Sequence, residues 1–191
     1  IEKFSIDDAV RIKKFESETK HDVKALEYFV KEKLIDTSLA DLLPFVHFGL
    51  TSEDTNNLAF ALMLSDAHRA IIIPGIDTLL GELKRLAHQH ADCLMMGRTH
   101  GQLAVPTTFG KELAVFYARL IKHRRTIKMF RFEGKLNGAV GNYNGMYFVF
   151  PKIDWVKFSR KFVSSLGLEP NLITTQFLSY DNIFAYAFAL Q

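Results

Sequence analysis

A single cysteine, Cys93, is all the sequence offers for sulfur chemistry. It excludes an intramolecular disulfide and a thiolate cluster for zinc or iron–sulfur, and it fits a reducing compartment such as the cytoplasm. Proline is scarce, at 5, and the 11 glycines spread over 191 residues form no Gly/Ser linker. No internal repeat or low-complexity tract appears. Charge of one sign is missing too: 24 Lys and Arg stand against 21 Asp and Glu, a net of +3. There is no basic stripe with interleaved aromatics, so no nucleic-acid partner is expected. No uninterrupted apolar run reaches the about 18–20 residues of a membrane span, so no membrane partner is expected either. Ile1-Glu2-Lys3 does not read as a signal peptide, and without an initiating Met the natural chain is expected to begin earlier.

What is present is ordinary globular composition, 48% hydrophobic and 24% charged, with 17 Phe that call for helix-against-helix packing around an aromatic core. Helical periodicity runs almost throughout. Val10, Ile12 and Phe15, then Val23, Leu26, Phe29 and Val30, recur at helical spacing on either side of the polar Glu18-Thr19-Lys20-His21-Asp22, which predicts two helices meeting there. Thr51-Ser52-Glu53-Asp54 places hydroxyls before acids, the signature of a helix start. The helix that follows carries Leu58 and Leu62, must kink or restart at Pro74, and runs to about Gln89 through Leu79, Leu83 and Leu86. Pro106-Thr107-Thr108 opens another, with Phe109, Leu113, Phe116, Leu120, Ile127 and Phe130 on one face, ending near Gly134. Asp154 caps a shorter helix that stops at Gly167, and a last one begins near Ser179. Strand-like alternation is scarce, with Tyr147-Phe148-Val149-Phe150 the one plausible exception. The expected fold is all-α, a bundle of long helices whose apolar stripes call for an oligomer. The only place for a domain boundary is near Leu42 to Gly49, which gives 1–42 and 43–191.

The chemistry-bearing residues fall in the interruptions. Met96-Gly97-Arg98-Thr99-His100-Gly101-Gln102 predicts a loop with His100 at its tip, where an imidazole can give or take a proton near neutrality; a solvated loop histidine is the competing reading. His21-Asp22, beside Lys20, reads equally as a surface ion pair. His47 lies just before the helix start at Thr51 and Ser52, where free amides favour phosphate or carboxylate, although capping alone explains those hydroxyls more often. His68, His88, His90 and His123 fall inside helices, and His88 and His90 do not share a face, so no metal is expected. Gly138-Ala139-Val140-Gly141-Asn142-Tyr143-Asn144-Gly145 lacks the strand–turn–helix context of a phosphate loop and reads as a backbone bend near a ligand or another chain. Arg124-Arg125 and Lys128 read as a solvated helix face.

Taken in order, Thr19-Lys20-His21-Asp22-Val23-Lys24-Ala25, the stretch from His47 to Asn57, Arg98-Thr99-His100-Gly101-Gln102 and Gly138 to Asn144, followed by Thr174-Thr175-Gln176, resemble the blocks of the adenylosuccinate lyase family of the fumarase/aspartase superfamily. The resemblance spans essentially the whole chain. It implies a helical bundle and a β-elimination of fumarate from adenylosuccinate, or from the related succinyl carboxamide ribotide, without a cofactor. It also implies that His100 is the general acid for the leaving nitrogen. His21 and Asp22 would help position the substrate, with His21 supporting the acid, Thr51 and Ser52 would bind a succinyl carboxylate, and Gln176 would hold the substrate from the far side. Lys20 stands where relatives often carry Arg or Asn and would keep a positive charge near an anion, without bidentate geometry.

The departures are equally specific. The family's base, a serine on a flexible Gly-Ser-Ser-x-x-Met-Pro-x-Lys-x-Asn loop, has no counterpart before Gln191, nor has the family's early Arg-Tyr contact. The resemblance implies homotetramers with shared active sites, so this stretch is expected to be the central part of a longer lyase and inactive alone. Two other readings stay open. One is another lyase of the superfamily, acting on argininosuccinate or carboxymuconate; the other is a non-catalytic helical oligomerisation scaffold.

Overall fold

Local signals of the kind that start and stop helices set the frame. In the computed structural model, which describes residues 4–191, Ser5 and Asp8 form a reciprocal cap at the start of α1 (Ile6–Thr19): Ser5 Oγ accepts from the Asp8 amide at 3.2 Å, and the Ser5 amide donates to Asp8 Oδ2 at 3.0 Å. Ile1 to Lys3, where a signal peptide was not expected, lie outside the described residues. Lys20 ends α1 in the left-handed conformation, and His21 caps α2 (Asp22–Leu34). The two predicted helices therefore meet where the polar stretch placed the break. They pack through Phe4 against Phe29 and Phe15 against Tyr28, with the Arg11 guanidinium forking onto Glu32.

After a 3₁₀ turn, Ala40–Phe45, comes α3 (Ser52–Ala67), then a π-helical stretch, His68–Ile72, and α4 (Ile73–Gln89). The wider turn sits directly before Pro74. That ring has no N–H to donate and would crowd the carbonyl four residues back, and a π turn accommodates both without breaking the helix. By length and composition the Ser52–Gln89 run is apolar enough to cross a membrane. Counting uninterrupted apolar residues misses this, because Asp66 and Arg69 interrupt the run; they pair at 2.7 Å on an exposed face, and charges there would be costly in hydrocarbon.

The next segment departs from expectation. A loop leading to a helix at Pro106 was predicted, whereas Leu94–Thr99 (β1) and Gln102–Thr108 (β2) form an antiparallel ribbon, with Thr99 opposite Gln102 and an irregularity between Met96 and Arg98. Pro106 is a strand residue, and Thr108 caps α5 (Phe109–Lys128) by accepting from the Lys111 amide at 3.2 Å. Both faces of the ribbon are largely exposed, so neither carries the apolar alternation by which strands are recognised. Helix α5 runs antiparallel to α4. Gly110 sits against the backbone of His90 and Ala91, where a Cβ has no room, and Arg124 forks onto Asp77 with two bonds of 2.7 Å. The solvated basic face expected at Arg124 is thus partly an interhelical clamp.

Glu133–Gly134 (β3) pairs in parallel with Glu169–Pro170 (β4). Between them lie α6 (Asn144–Val149) and α7 (Trp155–Ser165), and the chain closes with α8 (Asp181–Leu190). The possible strand at Tyr147–Phe150 is helical: the Phe150 amide returns to the Met146 carbonyl at 2.9 Å, which turns Met146 in against Tyr143 and Trp155. Asp154 and Gly167 begin and end α7 as their residue types predict.

The contacts divide into two units, Ile1–Leu62 with Glu133–Ser179, and Met63–Phe132 with Tyr180–Gln191. The core of the first gathers Phe29, Leu58, Met146, Trp155 and Val163. In the second, Phe132 and Tyr186 pack edge-on against buried His68, with Phe130 against both of those rings, and His68 Nδ1 lies 2.8 Å from the Tyr186 hydroxyl. The expected class holds: the chain is predominantly helical, with only short strands.

Candidate functional site

Three sequence-distant segments of the first unit, 21–22, 135–138 and 174–176, converge on the N-terminus of α3. Helix α2 contributes His21, whose Nδ1 accepts from the Lys24 amide at 3.2 Å, capping its own helix. That bond leaves the proton on Nε2, which reaches the Ser52 hydroxyl at 3.3 Å. The same Nδ1 lies 3.3 Å from Asp22 Oδ1, a contact that becomes attractive only when the ring is doubly protonated. The Asp22 carboxyl is held below the ordinary carboxylate range first by the Val23 amide, then by the Asn56 side chain, which donates to it at 3.2 Å, and by His21.

Thr51 is buried, and its hydroxyl accepts from Gln176 Nε2 at 3.4 Å. Beneath lies a buried network. Asp54 is fully enclosed; its Oδ2 accepts from the amides of Thr51, at 2.9 Å, and Gly138, at 3.0 Å, while Oδ1 accepts from the Asn137 amide at 3.0 Å. The ammonium of Lys135, also fully buried, completes the shell 3.0 Å from Oδ1. Asn57 braces the same strand edge, accepting the Lys135 amide at 2.8 Å and donating to the Lys135 carbonyl at 3.1 Å. The Asn137 side chain then reaches the Thr174 hydroxyl at 2.8 Å. Gly138 and Gly141 bend the backbone here with φ of +82° and +77°, and Gly141 presses on the Thr174 carbonyl so closely that a Cβ would collide.

His21, Asp22, Thr51, Ser52 and Gln176 are thus brought together, two hydroxyls and a helix start facing a side-chain amide and an imidazole. Such a cluster can hold a carboxylate by short charge-assisted hydrogen bonds. Lys20 adjoins it in sequence, exposed at the left-handed end of α1. His47 is set apart, lining a cavity of about 120 Å³ with Val23, Leu26, Glu27, Val30 and Leu50. In that cavity wall, burial works to raise the Glu27 carboxyl, but Lys24 and Lys31, at 2.5 and 2.6 Å, hold it below its usual range. His100 belongs to the second unit, exposed at the tip of the β1–β2 ribbon. His100 and Gly101 have φ of +53° and +75°, the signature of a two-residue type I′ turn.

Among the described residues four non-glycines have positive φ: Lys20, His47, His100 and Tyr143. Three of them are candidates already singled out by sequence, and backbone held in this region tends to accompany functional sites. The residues that sequence reading missed are Asp54, Asn57, Lys135 and Asn137. Asp54 had been taken only for a first-turn acid, and its partners lie some eighty positions away. The one available signal was a lysine, Lys135, at the head of a stretch that then carries no charge from Leu136 to Pro151.

The lyase family model matches residues 1–191. The chain belongs to the lyase family. Among its relatives are the adenylosuccinate lyases of Legionella pneumophila (strain Corby), 46% identical over 184 residues, and of Haemophilus influenzae, 47% identical over 181. That of Escherichia coli (strain K12) is 46% identical over 181 residues. These alignments take in 94–96% of this chain and 40% of each relative, so the lyase segment spans about two fifths of the length of the curated relatives it matches. In fold it resembles a fumarate lyase from Mesorhizobium sp. BNC1, with a TM-score of 0.79 and 22% identity over 99% of this chain and 42% of that one. It also resembles the β-carboxy-cis,cis-muconate cycloisomerase of Acinetobacter calcoaceticus sp. ADP1, with a TM-score of 0.71 and 24% identity over the same shares. These two likenesses carry the architecture of the lyase fold alone.

Proposed function

We propose that the full-length protein carrying this segment is an adenylosuccinate lyase, a carbon–nitrogen lyase that eliminates fumarate from adenylosuccinate to leave AMP, and from the succinyl carboxamide ribotide of purine biosynthesis. The observation that carries the reading is the convergence of Thr51, Ser52, Gln176 and His21 on one helix start, a ready receptor for a succinyl carboxylate. The relatives named above support it at the level of sequence.

In this reading Thr51 and Ser52 hold that carboxylate, Gln176 closes on the substrate from the opposite side, and Lys20 and His47 supply charge and donors toward the remaining anionic groups. His21, steadied by Asp22, orients the bound substrate. His100 is the general acid: as the C–N bond breaks, its imidazolium proton passes to the departing nitrogen. The exposed turn that carries it leaves the ring free to reach a substrate. The base that removes the proton beside the carboxylate is a serine for which these 191 residues offer no matching loop, so the 191-residue chain alone is expected to release no fumarate. The reaction needs no cofactor. A homotetramer, a cytoplasmic location and a domain division near residue 42 belong to the same proposal.

The test is fumarate release by the full-length protein, with and without His100→Ala. Acid catalysis of this kind is worth about 10²–10⁴-fold, so the variant should lose at least two orders of magnitude in kcat. A near-normal rate would remove His100 from the acid role, and no fumarate from the unmodified protein would remove the assignment.

A further inference from the structure

Thr51, Ser52 and Gln176 could bind a carboxylate only if their spacing is held, and a closed circuit of hydrogen bonds connects the two segments that carry them through a third, at Asn137. From the Thr51 amide it runs to Asp54 Oδ2, from Asp54 Oδ1 to the Asn137 amide, from the Asn137 side chain to the Thr174 hydroxyl, and two residues on from Gln176 Nε2 back to the Thr51 hydroxyl. Lys135 locks the corner, with Nζ 3.0 Å from Asp54 Oδ1 and 3.2 Å from the Gly138 carbonyl. Asp54, Lys135 and Asn137 are fully buried, so none of them can touch a substrate.

Capping needs far less than this. An exposed Asp satisfies a helix start, as Asp154 does for α7, without a buried lysine or three amide donors. Asp54 instead spends its acceptor capacity on the Thr51 amide and on two amides of the 135–138 segment. The circuit passes on through Thr174, a half-buried residue adjoining the exposed Gln176. We infer that Asp54, clamped by Lys135 and relayed through Asn137 and Thr174, is a positioning residue that sets the gap between the Thr51–Ser52 hydroxyls and Gln176, and so sets affinity for the substrate carboxylate. This rests on the carboxylate-binding reading of the same cluster.

Thr174 is the place to cut the circuit, because it lies outside the buried ion pair and its loss leaves Asp54 and Lys135 paired. In the full-length protein, Thr174→Val should raise KM for adenylosuccinate, and the inhibition constant of added fumarate, about tenfold, which corresponds to about 1.4 kcal/mol, with kcat changed less than threefold. Thr174→Ser, which restores the hydroxyl, should return both to normal. A lower melting temperature with unchanged KM and fumarate inhibition would overturn the positioning role and leave the lyase reading standing. Failure of Thr174→Ser to rescue would do the same. An unmodified protein that releases no fumarate overturns both.

Discussion

Replacing Lys135 by Met asks how much of the first unit's stability rests on one enclosed charge pair. The substitution keeps an unbranched side chain one atom shorter and removes the ammonium that lies 3.0 Å from Asp54 and 3.2 Å from the Gly138 carbonyl, Lys135 and Asp54 both being wholly shielded from water. Removing one member of a buried pair typically costs about 3–5 kcal/mol. Asp54 keeps three backbone donors, from Thr51, Asn137 and Gly138, so the lower end, about 3 kcal/mol, is expected. With a urea dependence of about 2 kcal/mol per M, the unfolding midpoint should fall by about 1.5 M. The assay is urea unfolding followed at Trp155, the sole tryptophan, packed with Tyr143 and Met146 in the same unit. Asp54→Leu combined with Lys135→Met is the decisive companion. Where a buried pair stands alone, swapping both partners for apolar residues is often neutral or stabilising. Here the double change strips three enclosed amides of their acceptor, each worth about 1–3 kcal/mol, so it should be at least as damaging as the single one. A double variant as stable as the unmodified chain would refute the view of Asp54 as a hub of backbone amides.

Two further outcomes follow from the same geometry. Gly141→Ala should destabilise by more than 2 kcal/mol, since a φ of +77° adds strain to a collision with Thr174, whereas Gly101→Ala, at φ +75° in open space, should cost only about 1 kcal/mol; equal melting temperatures for the two would contradict this. His68 is buried, and burial depresses its pKa from the ordinary 6.5 although the Lys128 carbonyl opposes the shift. Because the unfolded chain binds that proton more readily, the contribution is complete above pH 6.5 and is lost as pH falls toward the lower folded value. Denaturant midpoints should therefore drop on acidification below that point, and His68→Asn should flatten the dependence.

Much of the helical frame was legible because local rules decided it. Thr51 and Asp154 mark helix starts by residue type, Gly167 marks a stop, and the break at Glu18 to Asp22 needed only a polar interruption between apolar stripes. The β1–β2 ribbon was not legible: with its strands wet on both faces, no alternation betrays them, and His-Gly is not the Asn-Gly that advertises a type I′ turn. Tyr147 to Phe150 misled for the opposite reason, as a short apolar run fits a strand or one helical turn, and only the need to bury Met146 settles which. Of the cluster at α3, the groups with exposed chemistry, His21, Ser52 and Gln176, could be picked out by residue type and by family resemblance. Asp54 and Asn137 could not, since their work is done through partners some eighty positions apart.

The left-handed backbone at His100 has a consequence for how this lineage would age. Asn, Asp and His are the side-chain-bearing residues most often found in that conformation, yet any Cβ there costs about 1 kcal/mol relative to glycine. On the proposal that His100 is the general acid, selection must hold histidine at a turn position that glycine would fill with less steric cost. In a descendant that abandoned that chemistry, position 100 would be free to take glycine without disturbing the ribbon's turn, so a glycine there would mark a chain that has kept the fold and given up the acid.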